Sequence, residues 1–175
     1  AEGALDEVTT MLIRMRELAT QSINGTYAQA DRTNLNLEFD ALATEITRIS
    51  DNTFFNGISV IGTGVTVTFQ VGHNSTDTIA LTTQDMAAEQ IGSGTPAFNV
   101  GSLSIASVGG TSSAFATGAL AVLDQAIADV DNYRATLGAT ANRLEHSANN
   151  LYTRVENQMA AKSRIEDADY AVESA

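Results

Sequence analysis

The groups in this chain able to do chemistry are few and scattered. His73 and His146 are the only histidines, and neither has the neighbours or spacing of a metal ligand. No HExxH pattern is present. Glu166, Asp167 and Asp169 crowd together, but hard-cation loops spread their oxygens around a turn containing glycine, and this stretch has none. The cluster is therefore expected to be an acidic helix start or cap following Arg164. No glycine-rich loop ends in lysine, so a phosphate cradle is not supported. Serine and threonine are plentiful in residues 59–113, yet none is tied by sequence to a histidine and carboxylate. They read as a β-rich surface able to accept O-glycans. With no cysteine, disulfides and thiolate metal sites are excluded. The expectation is a protein that is not an enzyme, with no metal and no cofactor.

Charge narrows the partners. A formal charge of −12 opposes nucleic acid, which needs clustered lysine and arginine. It opposes an acidic leaflet as well. No stretch approaches the roughly 20 apolar residues of a membrane span. The chain is 43% hydrophobic and 6% aromatic, which suits a folded protein with an aliphatic core. It opens already in helical periodicity without a basic leader, and ends at Ala175 in helix-like sequence. The middle of a longer protein is the expectation.

The elements available to position any site are mainly helical. Residues 120–162 carry aliphatics at alternating steps of three and four, with Leu123, Val130, Leu137, Leu144 and Leu151 at one heptad position. Such a seam needs helical partners along its length. At about 1.5 Å per residue the helix is roughly 65–75 Å long. Arg134 falls on the seam, where its stem can lie along apolar surface with the guanidinium in solvent. Residues 1–19 repeat the pattern through Ala1, Ala4/Leu5, Val8, Met11/Leu12, Met15 and Leu18/Ala19. Asn24-Gly25 supplies a turn, and a second helix is expected over 28–50 with Leu35, Phe39, Leu42, Ile46 and Ile49 on one stripe.

Composition changes after Ser50: residues 51–111 contain no lysine or arginine. Residues 65–71 alternate strictly and 78–82 form the returning strand of a hairpin. A short helix is expected at 84–91, and weak strands at 97–100 and 103–108. The predicted fold is mainly α with a small β insert: an elongated antiparallel helical bundle or rod plus a β-hairpin region. Its parts are an N-terminal helical arm (1–50), the hairpin region (51–83), a short variable outer segment (84–112) and a long C-terminal helix (113–175).

Several separated motifs then carry a family resemblance. AEGALDEVTTMLIRMRELATQSINGTY at the start, DNTFFNG at 51–57, FQVG at 69–72, LGATANRLEHSANNL and SRIEDADYA resemble bacterial flagellin, in the family's order. The likeness is to the inner rod domain with a very short outer region and without the terminal coiled-coil segments. It implies a structural subunit of the flagellar filament, secreted through the flagellar export apparatus, polymerised under cap proteins with other flagellin subunits, and extracellular. An alternative is a cell-surface flagellin-like module that binds polysaccharide or a host receptor.

The resemblance also implies recognition of the monomer by Toll-like receptor 5. The family's recognised stretch is similar to Arg14, Leu18 and Glu38 here, with Arg16 and Glu17 also matching. Arg14 and Leu18, four apart, share a helix face. Ile13 stands where many recognised members carry glutamine. The plainer reading makes Arg14 and Glu38 solvated helix charges and Leu18 a core residue.

Overall fold

The computed structural model describes residues 1–92, 99–106 and 113–173, with the side chains of the last stretch described over 118–166. Three helices dominate: α1 (Glu2–Ile23), α2 (Gln29–Asn52) and α3 (Ser113–Glu173). Between α2 and α3 lie β1 (Phe54–Phe55), β2 (Ile58–Ser59), β3 (Thr66–Gln70), β4 (Thr78–Thr82) and one 3-10 turn (Val100–Ser102). The strands form two separate two-stranded sheets, β1-β2 and β3-β4. The chain divides into two units, Ala1–Thr66 with Thr82–Thr136, and Val67–Leu81 with Leu137–Ala175.

In the first unit the helical period of α1 becomes a buried stripe. Leu5, Val8, Leu12, Met15 and Leu18 have no exposed surface, because steps of three and four keep them on one side of the helix. Phe39 and Ile46 of α2 and Leu123, Ala126 and Val130 of α3 are equally buried. Ion pairs set the directions. Along α1 the partners run from Glu2 to Arg16, while on α3 they run back from Arg134 to Asp124, so these helices are antiparallel. Arg134 keeps its head at the surface, 31% exposed, and there gains partners that were not expected: Glu2 at 2.6 Å and Asp6 at 3.6 Å. The positive head is drawn to two carboxylates one turn apart at the start of α1.

Two buried serines tie the insert to this helical frame. Ser22 near the end of α1 donates to the Ile105 carbonyl at 2.6 Å, and Ser50 near the end of α2 donates to the Ile61 carbonyl at 2.6 Å. The Ser22 hydroxyl gives the Ile105 carbonyl a partner, and the Ile61 carbonyl accepts from both Ser50 and the Met86 N–H. The Asn36 side-chain oxygen accepts from the backbone N–H of Ile105 (2.8 Å) and Ala106 (3.2 Å) and from the Ser104 hydroxyl (3.2 Å). Gly92, at φ +77, lies so close to α3 that an added Cβ would stand 2.7 Å from the Val122 carbonyl oxygen.

The local details depart from expectation in three places. Residues 84–91 form turns instead of a short helix. Asp85 caps the stretch by accepting from the Ala87 N–H, but the Ala88 carbonyl accepts from the Gly101 N–H and the Gly92 N–H goes to Asp129, so the 88–92 bond that would continue a helix is not made. The expected strands at 97–100 and 103–108 are absent from the described part, 99–106. There the Asn99 side chain caps the 3-10 turn by accepting from the Ser102 N–H at 2.9 Å; residues 97, 98, 107 and 108 lie outside the described residues. Glu166 sits inside α3, pairing with Lys162 at 3.6 Å, so no helix starts after Arg164. The side chains of Asp167 and Asp169 lie outside the described residues.

The β1-β2 pair was not foreseen. Phe54 faces Ser59 and Phe55 faces Ile58 around Asn56-Gly57, whose φ values of 50 and 78 suit a tight hairpin turn. An Asn-Gly flanked by apolar residues is the signal that could have found it.

In the second unit β3 and β4 pair where expected, with Val67, Phe69 and Val71 half-buried and Ile79 buried. The α3 seam is covered less fully here. Thr140 is buried, while Leu137, Leu144 and Leu151 are only half-buried and Val155 is 46% exposed. Full burial of these leucines, expected from the heptad, is not observed.

Tyr133, on α3 within the first unit, is a buried residue that periodicity alone did not single out. It is 1% exposed and its hydroxyl donates to the Val60 carbonyl at 2.9 Å. Burial pushes the phenol's pKa up, opposed by a hydrogen bond with the Gln84 backbone. The folded state thus favours the neutral phenol. Its contribution is complete below the free tyrosine value of about 10 and is lost as pH rises from there through the folded pKa. Tyr133→Phe should therefore lower stability at neutral pH by about 1 kcal/mol, with the gap to the parent narrowing above about pH 10. Urea titrations at a series of alkaline pH values check this; a constant gap would contradict it.

Candidate recognition surface

The turn at residues 24–28 folds α2 back along α1 and brings three charges together. The Arg14 Nε donates to Glu38 at 2.8 Å, and its Nη1 donates to Glu17 at 3.0 Å. The guanidinium is thus shared between the next turn of its own helix and the neighbouring helix. Its pKa is raised, first by the hydrogen bond to Glu38 and then by that to Glu17. All three side chains remain about half exposed, at 45%, 58% and 45% for Arg14, Glu17 and Glu38. Water screens such pairs, so they fix orientation more than they stabilise the fold.

The other two expected residues lie apart from this group. Arg16 is two positions on from Arg14, so about 200° around the helix, and its Nε reaches Asp124 of α3 at 2.7 Å. Leu18 has no exposed surface and belongs to the apolar stripe of α1. It supports the surface from beneath and offers no side-chain atoms to a partner. Ile13 is 49% exposed on the outside of α1. Asp124, Glu2 and Asp6 were not foreseen as partners, since pairing across such sequence distances has no local signature.

Reactive geometry is missing from the described residues. His73 and His146 are exposed. No group of three or more histidine, cysteine or acidic side chains could hold a metal ion among the described residues. No described helix is long and apolar enough to cross a membrane. What the first unit defines is a class: a helical framework with charged residues on its outer faces.

Comparison with known proteins agrees with that class. Residues 1–64 match the bacterial flagellin N-terminal helical region and residues 120–175 match the bacterial flagellin C-terminal helical region. A flagellin of Halalkalibacterium halodurans is 41% identical over 99% of this chain and 60% of its own length. The flagellar filament 30.7 kDa core protein of Treponema maltophilum is 36% identical over 98% of this chain and 62% of its own. Among solved structures, Bacillus cereus flagellin is similar with a TM-score of 0.65 and 32% identity, covering 91% of this chain and 86% of that one. The chain belongs to the bacterial flagellin family. It spans about six tenths of the length of the curated relatives it matches.

Proposed function

We propose that this chain is the helical body of a structural subunit of the bacterial flagellar filament, carried outside the cell and polymerised with other copies of itself. The observation that supports this most is the match of both helical arms to the flagellin regions, in relatives named as flagellins and filament core proteins. The physics agrees: apolar stripes build the frame, charged residues are left on the outside, and contacts between unlike faces of such subunits extend without closing. Export and cap proteins of the flagellum are the further partners in this reading. The test is genetic. A flagellin-deletion strain supplied with the full-length protein that contains this chain should regain filaments and swimming; folded protein in the medium with bald, non-motile cells would contradict the reading.

The monomer is also, in this proposal, a ligand of Toll-like receptor 5. Arg14, Glu17 and Glu38 supply the charged contact surface, Arg16 borders it on the α3 side, and Leu18 holds the helix that carries them. The joined and exposed state of the Arg14 network supports this reading.

A further inference from the structure

We propose that Asn24 is an N-glycosylation site, modified on its side-chain nitrogen by an enzyme that uses a nucleotide-activated sugar. The inference stands apart from the filament reading and from any O-glycans on the serine- and threonine-rich segment.

The sequence contains two Asn-X-Ser/Thr triplets, Asn24-Gly25-Thr26 and Asn74-Ser75-Thr76. All six residues are exposed, so hydrogen bonding and not access separates the two triplets. The Asn24 side-chain oxygen accepts from the Thr26 N–H at 3.2 Å and from the Thr26 hydroxyl at 3.0 Å. A backbone N–H can only donate, so the atom held by Thr26 is the oxygen. The Asn24 side-chain nitrogen is left without a partner among the described residues. In the other triplet the nitrogen is the occupied atom: Asn74 Nδ2 donates to the Asp77 carboxylate at 3.2 Å.

An amide nitrogen is a poor nucleophile because its lone pair is shared with the carbonyl. Two donors on the carbonyl oxygen stabilise the negative charge that gathers there as the nitrogen gives up a proton. Thr26 supplies both. The transfer then balances. A base of the enzyme takes one Nδ2 proton, and Nδ2 bonds to the anomeric carbon of the sugar. The bond from that carbon to the diphosphate oxygen breaks, and its electron pair leaves with the nucleoside diphosphate. The donor is soluble and not lipid-linked, because a formal charge of −12 opposes approach to an acidic leaflet.

The turn also stands where an enzyme can reach it. It follows the last residue of α1, a helix of 22 residues, and so lies roughly 30 Å from Glu2. Chain preceding Ala1 would join α1 at the opposite end. Within this unit α3 passes from Asp124, beside Arg16, to Arg134, beside Glu2, and so leads away from the turn. Ser22 and Gln29 hold the Ile105 and Ala106 carbonyls on one flank and leave residues 24–26 exposed.

The test reads one peptide. Arg16 and Arg32 bound a tryptic fragment of residues 17–32 that carries Asn24. Mass spectrometry of the full-length protein, isolated from the bacterium that makes it, should find a sugar on Asn24 and none on Asn74. Thr26→Ser keeps both donors and should retain the sugar. Thr26→Ala removes the hydroxyl and should slow transfer on the order of a hundredfold, the loss expected for one donor to a developing oxyanion. Folded parent and variants, checked by circular dichroism, give these rates directly when incubated with a soluble asparagine N-glycosyltransferase and UDP-glucose. A bare 17–32 peptide from the native protein would overturn the site. Equal modification of Asn24 and Asn74, or transfer to Thr26→Ala at the parent rate, would overturn the role given to Thr26.

Discussion

Replacing Leu123 with alanine should lower the unfolding free energy by about 2–5 kcal/mol, the range for a large-to-small change in a closed core. Leu123 has no exposed surface in the first unit, where it shares a core with Leu5, Val8, Leu12, Met15 and Leu18 of α1 and Phe39 and Ile46 of α2, all equally buried. The lost side chain leaves a space that neighbours held by helix geometry cannot refill. Leu144→Ala, three heptads further along the same helix, should cost only about 1 kcal/mol, because a half-buried leucine has less transfer energy to lose and water can enter beside it. Urea unfolding followed by circular dichroism measures both. Equal losses in the two variants would mean that the seam is covered evenly, against the burial observed.

The double variant Arg14→Ala with Glu38→Ala should lose Toll-like receptor 5 binding by about thirtyfold or more, as expected for charged residues at the centre of a contact surface. Its folding stability should change little, because the Arg14 pairs are exposed and screened. Leu18→Ala is the instructive control. It removes a buried side chain, so any loss of binding should come with a loss of stability, whereas the Arg14 variant should separate the two. Surface binding assays on the folded monomer decide this. Unchanged affinity in the double variant would remove Arg14 and Glu38 from the proposed surface.

Much of this architecture was legible because it is periodic. The stripe through Leu5, Val8, Leu12, Met15 and Leu18 predicts the buried face of α1, and strict alternation at 65–71 predicts β3. Periodicity reports which residues share a side; it does not report how much of that side finds a partner. Leu123 and Leu144 occupy the same heptad position, and only their three-dimensional surroundings distinguish full from partial burial. The 84–91 stretch failed for a different reason. Its composition suits a helix, but the Ala88 carbonyl and the Gly92 N–H are engaged by Gly101 and Asp129, residues distant in sequence, so the turn does not continue.

The charged surface was readable only in part. Arg14, Glu17 and Glu38 came from resemblance to a family, and folding α2 back along α1 is what joins them. Arg16 and Leu18 came from the same stretch, yet helix rotation sends one toward Asp124 and the other into the core. Neighbours in sequence thus have unlike roles. The Arg134 pairing with Glu2 and Asp6 and the Tyr133 hydroxyl on the Val60 carbonyl depend on residues brought together by the fold, which no local pattern announces.

The filament reading is tested most directly by joining this chain to the terminal segments of the Halalkalibacterium halodurans relative and adding short filament seeds. Negative-stain electron microscopy then shows whether the seeds grow. Long filaments that incorporate the labelled chimera are the predicted result. Seeds that stay short in the presence of folded, monomeric chimera would contradict a filament subunit.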